Sequence, residues 1–157
     1  MPSHPQPVPE GLHTVTPRLV VSDAGAAIEF YEAAFGAEET DARFADPSGR
    51  VVHAEITIGD SVVRLTEDSR DGNGIAPDRN DGQVTTILAI TVPDVDALWA
   101  RATAAGAEVV FPLADQFYGD RGGRLRDPFG HQWMLSTHIE DVSPEELERR
   151  ARQLGTG

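Results

Sequence analysis

The chain contains the same pattern twice. Asp23 and Asp94 stand at equivalent points, and Phe35-Gly36-Ala37-Glu38 answers to Ala105-Gly106-Ala107-Glu108, an offset of 70–71 residues. Before each Asp lies a strand-like run, over 14–21 and 86–92. Ser22-Asp23 and Pro93-Asp94 each supply a helix start. Ala27, Ile28, Tyr31, Ala34 and Phe35 form one helical stripe; Val95, Leu98, Trp99, Ala102 and Ala105 form the other. Gly36 and Gly106 stop the helices. Each helix is followed by strands, over 38–44 and the hairpin 51–67 in the first half, and over 109–113, 121–126 and 132–137 in the second. Internal repetition therefore predicts an α+β protein of two tandem βαβββ units.

The hairpin 51–67 carries the chemistry. Its two strands meet at Gly59-Asp60, and Gly at the first turn position suits a type II′ turn. That turn sets Ile58 opposite Ser61, Glu55 opposite Arg64 and His53 opposite Thr66. Strand side chains alternate between faces. Val52, Ala54, Ile56, Ile58, Val63 and Leu65 make the core face. His53, Glu55, Thr57, Arg64 and Thr66 make a polar face, which is either solvated or the wall of a cavity.

Composition excludes several chemistries. Cysteine is absent, and with it disulfides, thiolate nucleophiles and thiolate metal sites. All 13 basic residues are arginine, so Schiff-base chemistry and a P-loop lysine are excluded. The net charge of −13 argues against nucleic acid and is compatible with a cationic ligand. No apolar run approaches membrane-spanning length, and no signal segment opens the chain. A cytoplasmic protein is the expectation. No Ser-His-Asp order, nucleophile elbow or Gly-rich phosphate loop is present.

The expected organisation is a disordered Pro-rich tail over 1–12, one domain over 13–140 with units 13–67 and 84–140 joined by loop 68–83, and a C-terminal helix and tail over 141–157. Asp78, Asn80 and Asp81 in that loop resemble part of a calcium loop, but Gly82 falls where a ligand belongs and no Glu closes it. Ser143-Pro144-Glu145-Glu146 is a capping box. Leu147, Ala151 and Leu154 form a narrow stripe that predicts docking of the last helix.

Two βαβββ units of this size, with the marks VSDAGAAIEFYEAAFGAE and RLRDPFGHQWML, resemble the vicinal oxygen chelate superfamily over roughly residues 12–140. That superfamily includes glyoxalase I, extradiol dioxygenases and bleomycin-resistance proteins; the C-terminal part is most similar to its bacterial glyoxalase/bleomycin-resistance-like branch. The resemblance implies a concave eight-stranded mixed sheet, helices on its convex side, a ligand in the cup and a homodimer. It also implies that the metal-ligand positions fall on Thr16, Arg64, Ile87 and Met134. Arg and Ile offer no usable lone pair, and Met suits soft copper(I). No cofactor and no metal are therefore expected. The cup's candidate ligand-binding residues are Arg18, His53, Glu55, Arg64, Gln116, Tyr118, Gln132 and Met134. Gln116 and Tyr118 belong to an aromatic loop before a strand. Trp133 and Leu135 are expected to face the helix.

Three readings of the His53, Glu55 and Arg64 face stay open: mutual neutralisation, ligand binding, and a general base at His53 or Glu55. The leading function is a small-molecule binding protein of the bleomycin-resistance type that sequesters a cationic compound. The alternative is a lyase, isomerase or dioxygenase using a nonstandard metal or a His53/Glu55 base. A protein that keeps the fold with no small-molecule role is the third.

Overall fold

The structure is a computed structural model describing residues 4–69, 72 and 74–155. The first three residues of the expected tail lie outside the described residues, as do 70, 71 and 73 of the loop and the last two of the chain. Residues 4–12 hold no helix or strand. The chain forms two compact units, Met1–Gln83 and Val84–Gly157.

In the first unit β1 (Arg18–Val21) leads into α1 (Ala24–Phe35), followed by β2 (Glu38–Glu39), β3 (Phe44–Ala45), β4 (Val51–Ile58) and β5 (Ser61–Glu67). The sheet order is β1-β5-β4-β2, with β3 also paired on β4. The β1–β5 pair is parallel and the β4 pairs are antiparallel. Asp23 caps α1 by accepting from the Ala26 N–H at 2.9 Å. Gly36 ends it at φ 67°. Two expectations shorten. The first strand begins at Arg18 rather than residue 14, because Pro17 has no N–H to donate; its carbonyl accepts from Arg64 N at 2.9 Å. The strand expected over 38–44 splits into β2 and β3. Between them the Asp41 carboxylate accepts from Ala42 N at 2.8 Å, a local bond that competes with the ladder.

The second unit repeats the plan: β6 (Ile87–Thr91), α2 (Val95–Ala104), β7 (Glu108–Asp115), β8 (Asp120–Arg126) and β9 (Gln132–His138), in sheet order β6-β9-β8-β7. Again the first and last strands pair in parallel. Asp94 caps α2 through Ala97 N at 3.0 Å. The strands thus hydrogen-bond as two ladders, one per unit, because each unit's first strand closes on its own last strand.

Each unit has its own core. Tyr31, Ala54, Ile56 and Leu65 are fully buried in the first, and Leu125, Leu135 and Trp133 are buried in the second. A fully buried aliphatic or aromatic side chain contributes about 1.5–3 kcal/mol, so the helix-facing stripes hold both sandwiches together. The last helix, α3 (Pro144–Leu154), buries none of its residues. Its expected docking stripe stays in solvent, with Leu154 64% exposed. Polar bonds hold the helix instead: Arg150 reaches Glu140 at 2.7 Å and the Phe117 carbonyl at 3.1 Å.

Candidate functional site

The hairpin forms in the expected register, with Ile58 opposite Ser61 and Glu55 opposite Arg64. Gly59 takes φ +57° while Asp60 keeps a negative φ, the sign pattern of a type II′ turn. Ala54, Ile56, Val63 and Leu65 turn into the core. The opposite face gathers the polar groups. Arg64 Nε donates to Glu55 Oε2 at 3.1 Å, and Thr40 Oγ1 donates to Glu55 Oε1 at 3.2 Å. Both carboxylate oxygens of Glu55 are thereby engaged.

The parallel pairing sets Arg18 beside Arg64. Arg18 Nη2 lies 3.3 Å from His53 Nδ1. A guanidinium only donates, so Nδ1 is the acceptor and the neutral ring carries its proton on Nε2. Phe44, on β3, packs beside the imidazole with ring centroids 5.9 Å apart. The structure therefore brings Arg18, His53, Glu55 and Arg64 to one face. It occupies His53 Nδ1 and engages both oxygens of Glu55 with one donor each.

The remaining candidates belong to the second unit. Gln116, Tyr118 and Met134 line a cavity of about 170 Å³ together with Phe111, Gly122, Gly123 and Arg124. The β7–β8 loop is fixed by Gly119, at φ +100°, where any Cβ would lie 2.1 Å from the Glu140 carbonyl oxygen. Gln116 Nε2 donates to the Gly122 and Ala114 carbonyls at 3.0 and 3.3 Å. The Tyr118 phenol titrates above its ordinary range, chiefly through burial and then through the nearby Asp120 carboxylate, with Arg124 acting in opposition. Gln132 sits one step away, opposite Arg126 and Ile87, and does not line the cavity. Trp133 belongs to the core and donates to Asp127 Oδ2 at 2.9 Å.

Arg124 and Phe111 were missing from the sequence-derived set. Alternation along β8 was the available signal: Arg124 pairs with Met134, and Phe111 pairs with Arg124.

A divalent metal does not fit the residues that stand at the superfamily's ligand positions. Arg64 there is a cation bonded to Glu55, and Met134 lines the cavity beside Arg124. Among the described residues no group of three His, Asp or Glu is arranged to hold a metal ion.

A profile of the Glyoxalase/Bleomycin resistance protein/Dioxygenase superfamily matches residues 11–135. The chain belongs to that superfamily. It is 40% identical to the uncharacterized protein Rv0887c of Mycobacterium tuberculosis over 146 residues, covering 91% of this chain and 85% of that one. The Mycobacterium bovis protein Mb0911c matches at 40% identity, covering 91% of this chain and 95% of the relative. Among solved structures, TioX from Micromonospora sp. ML1 superposes with a TM-score of 0.63 at 26% identity, over 81% of this chain and 99% of that one. A superfamily member from Nocardioides gives a TM-score of 0.60 at 22% identity, over 85% and 88% of the two chains, a likeness of fold alone. Among the described residues no helix is long and apolar enough to cross a membrane.

Proposed function

We propose that this superfamily member binds a small molecule without a metal. The observation that carries the reading is the Arg64–Glu55 bond, which puts a paired guanidinium at a position where a metal enzyme of the superfamily needs a lone pair. The same bonds weigh against the enzyme reading. His53 Nδ1 already accepts from Arg18, and the Glu55 carboxylate, held by Arg64 and Thr40, is stabilised in its charged form and so made a weaker base. Net charge pointed to a cationic ligand. The local side chains favour the opposite sign, since Arg18 and Arg64 stand against one Glu55 on the first face and Arg124 lines the cavity of the second unit. The reading carries with it a cytoplasmic homodimer with no nucleic-acid or membrane partner.

Metal analysis of the purified protein tests it. The expected result is no stoichiometric divalent ion. A bound ion that disappears in His53→Ala sinks the proposal. Thermal-shift screening of charged small molecules supplies the positive arm, because a ligand selective for the folded state raises the melting temperature by mass action. Light scattering on the same sample checks the homodimer.

A further inference from the structure

Arg124 differs from most of the other arginines, although Arg18 too holds no carboxylate and Arg126 Nε is likewise buried without a hydrogen-bond partner among the described residues. The chain has 26 acidic residues and 13 arginines. Arg64, Arg79, Arg121, Arg126 and Arg150, among others, each hold a carboxylate within 3.2 Å. Among the described residues none does so for Arg124. Its Nε is buried and has no hydrogen-bond partner there. Its guanidinium lies beside the Phe111 ring, whose centroid is 5.2 Å from Cζ, and close enough to Tyr118 to act on its phenol. A ring beside a guanidinium satisfies its charge in part but accepts none of its N–H donors in the plane, which stay available to an acceptor. A buried donor without an acceptor costs free energy that an incoming acceptor restores.

The surroundings define the rest of the ligand. Register lines up Ala89, Met134, Arg124 and Phe111 across four strands. Met134 and Phe111 are apolar walls to either side of the cation. Tyr118 keeps its phenol proton and makes no hydrogen bond among the described residues, so it is a free donor. The amide N–H groups of Gln116 are committed to backbone carbonyls, which leaves its oxygen as an acceptor. The lining contains one cation only. A planar monoanion suits one guanidinium fork, whereas a phosphate dianion calls for more positive charge. A cavity on the order of 150 Å³ holds a benzene ring, and this one measures about 170 Å³.

We propose that this trough of the second unit binds a small carboxylate with an apolar or aromatic body. The carboxylate accepts from the edge of Arg124 and from the Tyr118 hydroxyl. The body packs between Met134 and Phe111. The proposal rests on the metal-free binding reading above and gives it a ligand class.

The test is a backbone-amide NMR titration of the full chain with sodium benzoate, benzamide and inorganic phosphate. Benzoate is expected to perturb residues 111–134 and to bind at least about tenfold tighter than the other two, the size of one charge-assisted contact. Arg124→Gln should remove that preference, and Arg124→Lys should restore it only in part. Phe111 is 57% exposed, so Phe111→Ala should fold, bind more weakly and keep the preference for charge. Arg43→Gln, in an exposed ion pair of the other unit, should leave binding unchanged. Equal binding of benzoate and benzamide overturns the proposal, as do tighter phosphate binding, an unaffected Arg124→Gln, or shifts confined to residues 18–67. A dimer that ignores benzoate and dissociates in Arg124→Gln overturns it too, by assigning Arg124 to a carboxylate of a second copy. Metal content is measured on the same samples. A resident divalent ion there defeats the metal-free reading separately, without deciding the Arg124 outcome.

Discussion

Arg64 and Glu55 show how little a pair must contribute to decide a chemistry. Their side chains are 34% and 18% exposed, so water still reaches both. A cross-strand pair in that setting contributes about 0.2–1 kcal/mol. A double-mutant cycle of Arg64→Gln and Glu55→Gln in urea denaturation should return a coupling within that range. A value several-fold larger would mean a drier, more demanding site.

His138 provides a separate pH signature. Its Nε2 and Nδ1 lie 2.8 Å from Asp141 and Asp120, and these two bonds raise its pKa above 6.5, with Asp141 the larger cause. A raised folded pKa favours the protonated native state. The contribution is fully present below about pH 6.5, the unfolded value, and is lost as pH climbs through the folded one. His138→Gln should therefore lower the melting temperature at pH 5.5 and change it much less at pH 8.5. An equal drop at both would show that packing, not charge, explains His138.

The β8–β9 turn explains why the second sheet keeps its register. Asp127 Oδ1 accepts from the Phe129 and His131 amides at 2.9 and 3.0 Å, and Oδ2 accepts from the Trp133 indole. Asp127 is 4% and Trp133 2% exposed. Trp133→Phe keeps a ring in the core but removes the indole N–H that donates to the buried Asp127 carboxylate. That should cost about 1–3 kcal/mol, read as a lower urea midpoint with unchanged slope. Close packing continues on the helix side, where a Cβ at Gly123 would lie 2.6 Å from the Trp99 ring. The β4–β5 hairpin was legible because its signals are local: a glycine turn and strict alternation. The gap between β2 and β3 was not, because it depends on the Asp41 side chain displacing a ladder bond. The exposed stripe of α3 escaped for a related reason. Apolar spacing says which face is apolar, not whether anything covers it.

For the molecule as a whole, the charge of −13 sets a background that local pairs only partly offset. Self-repulsion of a strongly charged chain weakens its compact state, and salt screens it over roughly 10 Å at about 0.1 M. The melting temperature should accordingly rise between roughly 10 and 150 mM sodium chloride. A fall would mean that the ion pairs outweigh the repulsion. The same contrast explains the ligand assignment. Net charge is a property of the surface, whereas a ligand meets the few side chains lining its site, and in the second unit's cavity the charged group is Arg124.

The tandem βαβββ plan, the capping Asp of each helix and the hairpin register were legible in the amino-acid order. These depend on periodicity, capping and turn chemistry, all of which act over a few residues. Tertiary structure alone decided which polar groups meet. The parallel β1–β5 pairing brought Arg18 beside Arg64, and the tilt of a guanidinium toward His53 fixed a tautomer. Pairing of β7, β8 and β9 assembled Phe111, Arg124 and Met134. Whether an arginine finds a carboxylate depends on pairings between segments distant in the chain, and no local pattern encodes that.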